Sequence, residues 1–181
     1  MNVDDLVFTV HGPTTAIEQL EVVVDLYRAA FEKPPAEMEQ GVGWLTQAWA
    51  RRTSAPGFRL VVASHDGAPV GAIYGHQIGE SWWESAIGIP SDVTKEWPGR
   101  TVAFIDMMVR PAWRRHGVAK RMHALQLADR AEERATLLVN PANTNARAAY
   151  IKWGYERAGA IEPVAFPGKS YDAMLLDGLG G

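Results

Sequence analysis

The stretch FIDMMVRPAWRRHGVA, from Phe104 to Ala119, passes from an apolar run through a proline break and a basic turn into helix-forming residues. That order predicts a strand, a short loop and the start of a helix. Gly117 and Ala119 stand two apart where the helix begins, so unpaired backbone N–H groups can meet a ligand there without side-chain obstruction. A turn of this kind attracts an anion of pyrophosphate size. Arg110, Arg114, Arg115, Lys120 and Arg121 crowd around it, five of the 18 basic residues in a chain of net charge −3. A local positive patch on an acidic protein suits a small polyanion and argues against general nucleic-acid binding.

Composition narrows the rest. A chain of 181 residues suits one domain, here 1–181, and can bury a sizeable core. With 47% hydrophobic and 22% charged residues it has the balance of a soluble globular protein, and no apolar run is long enough to span a bilayer. The opening MNVDDLVFTV lacks the basic, apolar, small-residue order of a secretion signal, so a cytoplasmic location and no membrane partner are expected. There is no cysteine, which removes disulfides, thiolate metal sites and a thiol nucleophile. No metal site is expected.

Outward from the central stretch, Val102–Val109 reads as a strand buried on both faces. Val118, Met122, Leu125 and Ala128 form the apolar stripe of the following helix, with Asp129, Arg130, Glu132, Glu133 and Arg134 expected in solvent. Thr136–Val139 is the next strand, parallel to the first because a helix connects them. Asn143–Gly154 reads as a short helix, and Tyr155–Ile161 with Tyr171–Leu176 as a closing hairpin. Towards the N-terminus, Leu6–Val10 is a strand and Thr15-x-x-Glu18 offers a capping box. Ile17, Leu20, Val24, Tyr27 and Phe31 give one apolar helical face ending at Pro34-Pro35. Met38, Val42, Leu45 and Trp49 mark a second helix, weakened by Gly41 and Gly43 at roughly 1 kcal/mol each. Phe58–Ala63 and Val70–Ile78 pair through the turn His65-Asp66-Gly67. Glu80–Arg100 carries Trp82, Trp83 and Trp97 without clean periodicity. It predicts an ordered loop or short helix, acting either as a lid or as a cover for the edge of the core.

Arg114-x-x-Gly117-x-Ala119 after a strand resembles the R/Q-x-x-G-x-G/A acetyl-coenzyme A loop of the GNAT-type N-acetyltransferases. Asn143-x-x-Ala146-x-x-x-Tyr150-x-x-x-Gly154-Tyr155 downstream matches a second element of that family at its spacing. The resemblance covers roughly Phe58 to Leu176, with Ala119 in place of the commoner glycine. It implies an α/β fold of the GNAT-like acyl-CoA N-acyltransferase type, a central mixed, mostly antiparallel sheet flanked by helices. It also implies acetyl-CoA as co-substrate, set between the strands of Val102 and Thr136. The pyrophosphate would meet the loop Arg114, Arg115, His116, Gly117, Val118, Ala119 with Lys120, and the strand end at Met108 and Val109 would hold the pantetheine arm and polarise the thioester. Asn143 matches a cofactor-contacting asparagine, although Asn-Thr-Asn is equally a good helix cap. Tyr150 matches the tyrosine that protonates the leaving thiolate, and its ordinary pKa near 10 keeps it protonated at neutral pH.

Acetyl transfer to an amine also needs a base. Asp106 is a carboxylate in an otherwise apolar strand, so it should face a cleft or a hydrogen-bond donor. Glu80, Glu84, His76 or a water chain are alternatives, and one common family position upstream holds Ala103 here. The expected activity is transfer of an acetyl group to a primary amine of a small molecule or peptide. The competing class is a non-catalytic acetyl-CoA-binding sensor or docking module. Trp44, Trp49, Trp82, Trp83 and Trp97 lie in the segments that shape the acceptor side in the family, which suits a cationic or ring-bearing amine. Homodimers are frequent among similar proteins.

Overall fold

The computed structural model describes residues 2–163 and 167–179. A 3-10 turn at Val3–Asp5 leads into strand β1 (Val7–His11), the one-turn helix α1 (Pro13–Ala16), a 3-10 turn (Ile17–Gln19) and helix α2 (Leu20–Ala30). Helix α3 (Pro35–Thr53) follows, with Pro35 in its first turn, where a missing N–H costs nothing. Strands β2 (Arg59–His65) and β3 (Ala68–Gln77) form a hairpin turning at Asp66 and Gly67, both at positive φ. Next come a 3-10 turn (Glu80–Trp83), strand β4 (Ala86–Ile87), the short helix α4 (Ser91–Thr94) and strand β5 (Thr101–Val109). After a 3-10 turn at Pro111–Trp113, the chain runs through α5 (Val118–Leu127), β6 (Arg134–Val139), α6 (Thr144–Lys152), β7 (Glu156–Ile161) and β8 (Tyr171–Asp177).

The strands lie in the order β1-β2-β3-β5-β6-β8-β7-β4. β5 and β6 run parallel, joined by α5, and the pairs β1–β2, β2–β3, β6–β8, β7–β8 and β4–β7 are antiparallel. This is the mixed, mostly antiparallel sheet expected.

The chain divides into two units, and β5 contributes to each. The first holds the residues up to His76 together with Ile105–Asp129. One face of its strands, Leu60, Val62, Ala72, Tyr74 and Met108, packs on Val23, Leu26, Tyr27 and Ala30 of α2 and on Val42, Leu45 and Trp49 of α3. The alternating residues turn to α5, where Gln126 Nε2 donates to the carbonyls of Arg59 and Ile73. The expected helical face holds except at its first residue: the 3-10 turn at Ile17–Gln19 leaves Ile17 exposed, Tyr27 is buried, and Leu20, Val24 and Phe31 pack half-buried on the core that also holds Val23, Leu26 and Ala30. Thr15 caps nothing; its hydroxyl donates back to Gly12. Trp49 is a core residue whose indole donates to the Ala16 carbonyl at 3.2 Å.

The second unit holds Gln77–Phe104 and the described residues from Arg130 onward. Trp83 is buried against Ile161, Ala173 and Leu175, with Trp82 and Ile89 beside it. Of the two readings of the Glu80–Arg100 segment, the cover for the core holds for Trp83. Trp97 stays exposed, with the Arg100 guanidinium 4.2 Å from its ring centre. The largest departure from the sequence expectation lies between α5 and β6. Arg130, Glu132 and Arg134 are buried, not solvated. They persist there because they pair, Arg130 with Glu132 at 3.4 Å and Arg134 with Glu96 at 2.9 Å.

Candidate active site

The anion loop is built as its residues require. Arg110 ends the strand; its Nε donates to the Pro69 carbonyl and its guanidinium pairs with Asp25. Pro111 then starts a 3-10 turn. Arg115 takes φ +64°, a left-handed conformation that costs a non-glycine residue about 1 kcal/mol. Gly117, at φ +85°, takes it without that cost and caps α5. Among the described residues a Cβ on Gly117 would touch only Val3 Cγ1, at 3.9 Å, so the space above the loop is open to them. Val118 is buried and anchors the helix from below.

The first intrahelical-type bond runs from the Arg121 N–H to the Gly117 carbonyl at 3.0 Å. Among the described residues no acceptor meets the N–H groups of Val118, Ala119 or Lys120. Three donors, the positive end of the helix dipole and the exposed side chains of Arg115, His116, Lys120 and Arg121 therefore share one surface. Arg114, also in this loop, has partners of its own. Its guanidinium donates to the carbonyls of Val109 at 3.3 Å and Ala30 at 2.5 Å, so it braces the loop against the end of α2.

Asp106 sits half-buried on β5 and has found its donor, the hydroxyl of Tyr74 on β3. Arg52, near the end of α3, donates to the Tyr74 oxygen at 2.7 Å. Burial, and then the charge of Asp106, hold the Tyr74 hydroxyl well above the usual tyrosine range, so it stays protonated. Sequence reasoning reached Asp106 through its isolation in an apolar strand. It missed Tyr74 and Arg52, because nothing local to β3 or α3 announces a partner 32 or 54 positions away. Met108 is fully buried and Val109 half-buried at the end of the same strand.

In the second unit, Asn143 caps α6, its Oδ1 accepting from the Ala146 N–H at 3.2 Å. Tyr150 is half-buried, edge-on to Trp153 at 5.6 Å and to Tyr155 at 5.8 Å. Burial, and next the neighbouring Tyr150, push the Tyr155 hydroxyl far up, which leaves Tyr150 the more exposed phenol of the two. Arg147 of α6 and Arg157 of β7 both hold the buried Asp172, at 3.1 and 2.5 Å, and so tie the helix to the sheet. Of the alternative bases, Glu80 and Glu84 are exposed, His76 is half-buried on β3, and Ala103 is fully buried. A groove of about 420 Å³ between α2 and α3 is lined by Leu20, Glu21, Val24, Asp25, Arg28 and Thr46, and contains none of the residues named for the site.

A sequence profile of the acetyltransferase (GNAT) family matches residues 20–155, across both units. The chain belongs to this family. Acetyl transfer is the activity the GNAT family implies, with acetyl-CoA as the group donor. The GNAT fold recurs in solved structures. The ribosomal-protein-S18-alanine N-acetyltransferase from Escherichia coli superposes with a TM-score of 0.63 at 13% identity, over 94% of each chain. A histone acetyltransferase and related acetyltransferase from Corynebacterium glutamicum gives 0.65 at 18% identity, over 94% of this chain and 96% of that one. The NatC complex bound to Gag peptide and CoA gives 0.62 at 15% identity, over 96% and 98%. No curated protein matches the chain in sequence. At these identities the likeness is one of fold. The donor set at Gly117–Lys120, three unpartnered N–H groups under open space with cations around them, fits a pyrophosphate on its own chemistry.

Proposed function

We propose that this GNAT protein is an acetyl-CoA-dependent N-acetyltransferase that acts on a primary amine of a small molecule or a peptide, by direct transfer with both substrates bound. The observation that carries the reading is the start of α5, where the left-handed Gly117 exposes three N–H donors beside Lys120 and Arg121. Bound acetyl-CoA would supply the activated acetyl thioester. The chain's own residues do the rest. The N–H groups of Val118, Ala119 and Lys120 bind the pyrophosphate, while Arg115 and Lys120 add charge around it, with His116 beside them. Arg114 acts one step removed, by fixing the loop to the carbonyls of Val109 and Ala30.

Asp106, accepting from Tyr74, takes the proton of the incoming ammonium so that the amine can attack. Tyr150 gives its phenolic proton to the departing sulfur. Asn143 serves α6 as its cap and supports Tyr150 through the helix it starts. Met108 and Val109 act through their backbone at the end of β5.

The test is thiol release from acetyl-CoA with and without a panel of amines: a polyamine, an aromatic monoamine, an aminoglycoside and peptides with free N-termini. Release that depends on one class of amine supports the enzyme and names its acceptor. Tight binding of acetyl-CoA with no thiol released for any amine would instead make the protein a sensor or docking module.

A further inference from the structure

Tyr74 is wholly buried, and nothing in the family motifs calls for a polar group there. Its ring is fixed edge-on to Trp49 at 5.3 Å and tilted against Phe58 at 6.4 Å, so the hydroxyl occupies one place. A phenol has a single hydrogen to give. Arg52 has donors only, so the 2.7 Å contact from its Nη1 occupies a lone pair of the Tyr74 oxygen and turns the hydrogen away from α3. The remaining partner is Asp106 Oδ2. That oxygen is thereby held as an acceptor, while Oδ1 meets no donor among the described residues and belongs to a half-buried side chain.

We infer that Tyr74, clamped by Arg52, is a positioning residue for acetyl transfer: it anchors the Asp106 side chain through Oδ2, so that Oδ1 is the oxygen that takes the ammonium proton. The inference rests on the reading of Asp106 as the base. In the step it describes, an N–H bond of the acceptor ammonium breaks and an O–H bond forms at Oδ1. The electron pair stays on nitrogen, and Asp106 becomes neutral while Tyr74 keeps its own hydrogen. Three elements, α3, β3 and β5, thus converge on one carboxylate. A hydroxyl that merely satisfied itself in the core would need one partner; this one is oriented by a cation on one side and aimed at a candidate base on the other.

A kinetic cycle separates the two. Thiol release from acetyl-CoA, with the best amine of the panel above, is measured for the wild type, Tyr74→Phe, Asp106→Asn and the double variant. Phenylalanine keeps the ring packing, and the half-exposed Arg52 can turn to water. Tyr74→Phe should lower kcat about 10- to 100-fold, the size of loss that supporting partners of reacting groups show, with KM for acetyl-CoA unchanged. In the Asp106→Asn background the same change should cost nothing further. An equal loss in both backgrounds would make Tyr74 a packing residue and overturn the inference while leaving Asp106 as the base. A near-normal rate for Asp106→Asn alone would overturn the base assignment and the inference with it. Should Tyr74→Phe fail to fold, Arg52→Met makes the same comparison from the outer end of the chain of bonds, with a severalfold loss in kcat that disappears in the Asp106→Asn background.

Discussion

Gly41 of α3 lies so close to Tyr27 of α2 that a Cβ on it would stand 2.4 Å from the Tyr27 hydroxyl and 3.1 Å from two ring carbons. Tyr27 cannot simply swing away. It is buried, its ring meets Phe31 at 4.8 Å, and its oxygen accepts from Lys33 at 2.5 Å. The glycine that weakens α3 in isolation is thus what lets α2 and α3 touch.

Gly41→Ala should therefore destabilise the protein by about 1–3 kcal/mol, the usual cost of overpacking, despite alanine's better helix propensity. Gly43, two positions on, has nothing within 4 Å of its would-be Cβ. Gly43→Ala should stabilise by about 0.5–1 kcal/mol. Urea unfolding midpoints of the two variants check both signs, and a stabilised Gly41→Ala would show that the helices yield freely at that contact.

Glu96 buries its side chain in the second unit. Its Oε1 accepts from Trp83 Nε1 at 2.8 Å, from Thr101 Oγ1 at 2.9 Å and from Arg134 at 2.9 Å. Glu96→Ala leaves the Arg134 charge buried without its carboxylate and should cost about 3–5 kcal/mol. Glu39→Ala, which breaks the exposed pair with Arg28, should leave the unfolding midpoint almost unchanged. Similar effects for the two would mean that Arg134 finds water or another partner when Glu96 is removed.

His123 is 4% exposed on α5, and burial lowers its pKa from 6.5 to about 4. The unfolded chain therefore binds a proton near pH 6.5 that the folded chain refuses until about pH 4. Its contribution is full above pH 6.5 and is lost as pH falls towards 4, up to about 3 kcal/mol. Stability measured from pH 7 to pH 4.5 should fall more steeply for the wild type than for His123→Gln. Parallel curves would mean that carboxylates alone set the acid limit.

Tyr150→Phe should lower kcat by about 10²–10⁴-fold with little change in acetyl-CoA affinity, since the phenol supplies a proton and its ring stays packed on Trp153 and Tyr155. A rate near that of the wild type would return Tyr150 to a packing role.

What could be read from the sequence was local. The strand, the turn ending in Gly117 and the helix start at 104–119 are specified within sixteen residues, since the apolar run, the proline and the glycine each constrain their own backbone. The parallel pairing of β5 with β6 followed from the helix between them. What could not be read was pairing at a distance. Arg134 looks solvated until Glu96, 38 positions upstream, is brought to it, and Glu132, the partner of Arg130, looks so until Gln77, 55 positions upstream, donates to it. The contact of Arg114 with the Ala30 carbonyl, 84 positions upstream, is of the same kind. On the first helical face only Ile17 departs, set in a 3-10 turn and exposed, while Leu20, Val24, Tyr27 and Phe31 meet the core.

The anion loop itself is open to a binding experiment. Gly117→Asp puts a carboxylate at the open space over the N–H donors of α5, in a conformation that aspartate tolerates better than most residues. Calorimetry should show acetyl-CoA affinity lost, with the circular dichroism of the wild type retained. Unchanged affinity in a folded variant would mean that the start of α5 does not hold the pyrophosphate.

Direct transfer of acetyl from acetyl-CoA to an amine is tested by mass spectrometry of protein and amine together. With acetyl-CoA alone the protein should gain no stable adduct, because the chain has no cysteine to carry one. With the acceptor present, the amine should gain about 42 Da, one acetyl group in place of a hydrogen, while the protein stays unmodified. An adduct of that mass on the protein that chases onto the amine would contradict direct transfer and move the search for a nucleophile to Ser81, Ser85 or His76. No acetylated amine at all, with acetyl-CoA bound, would contradict the enzyme itself.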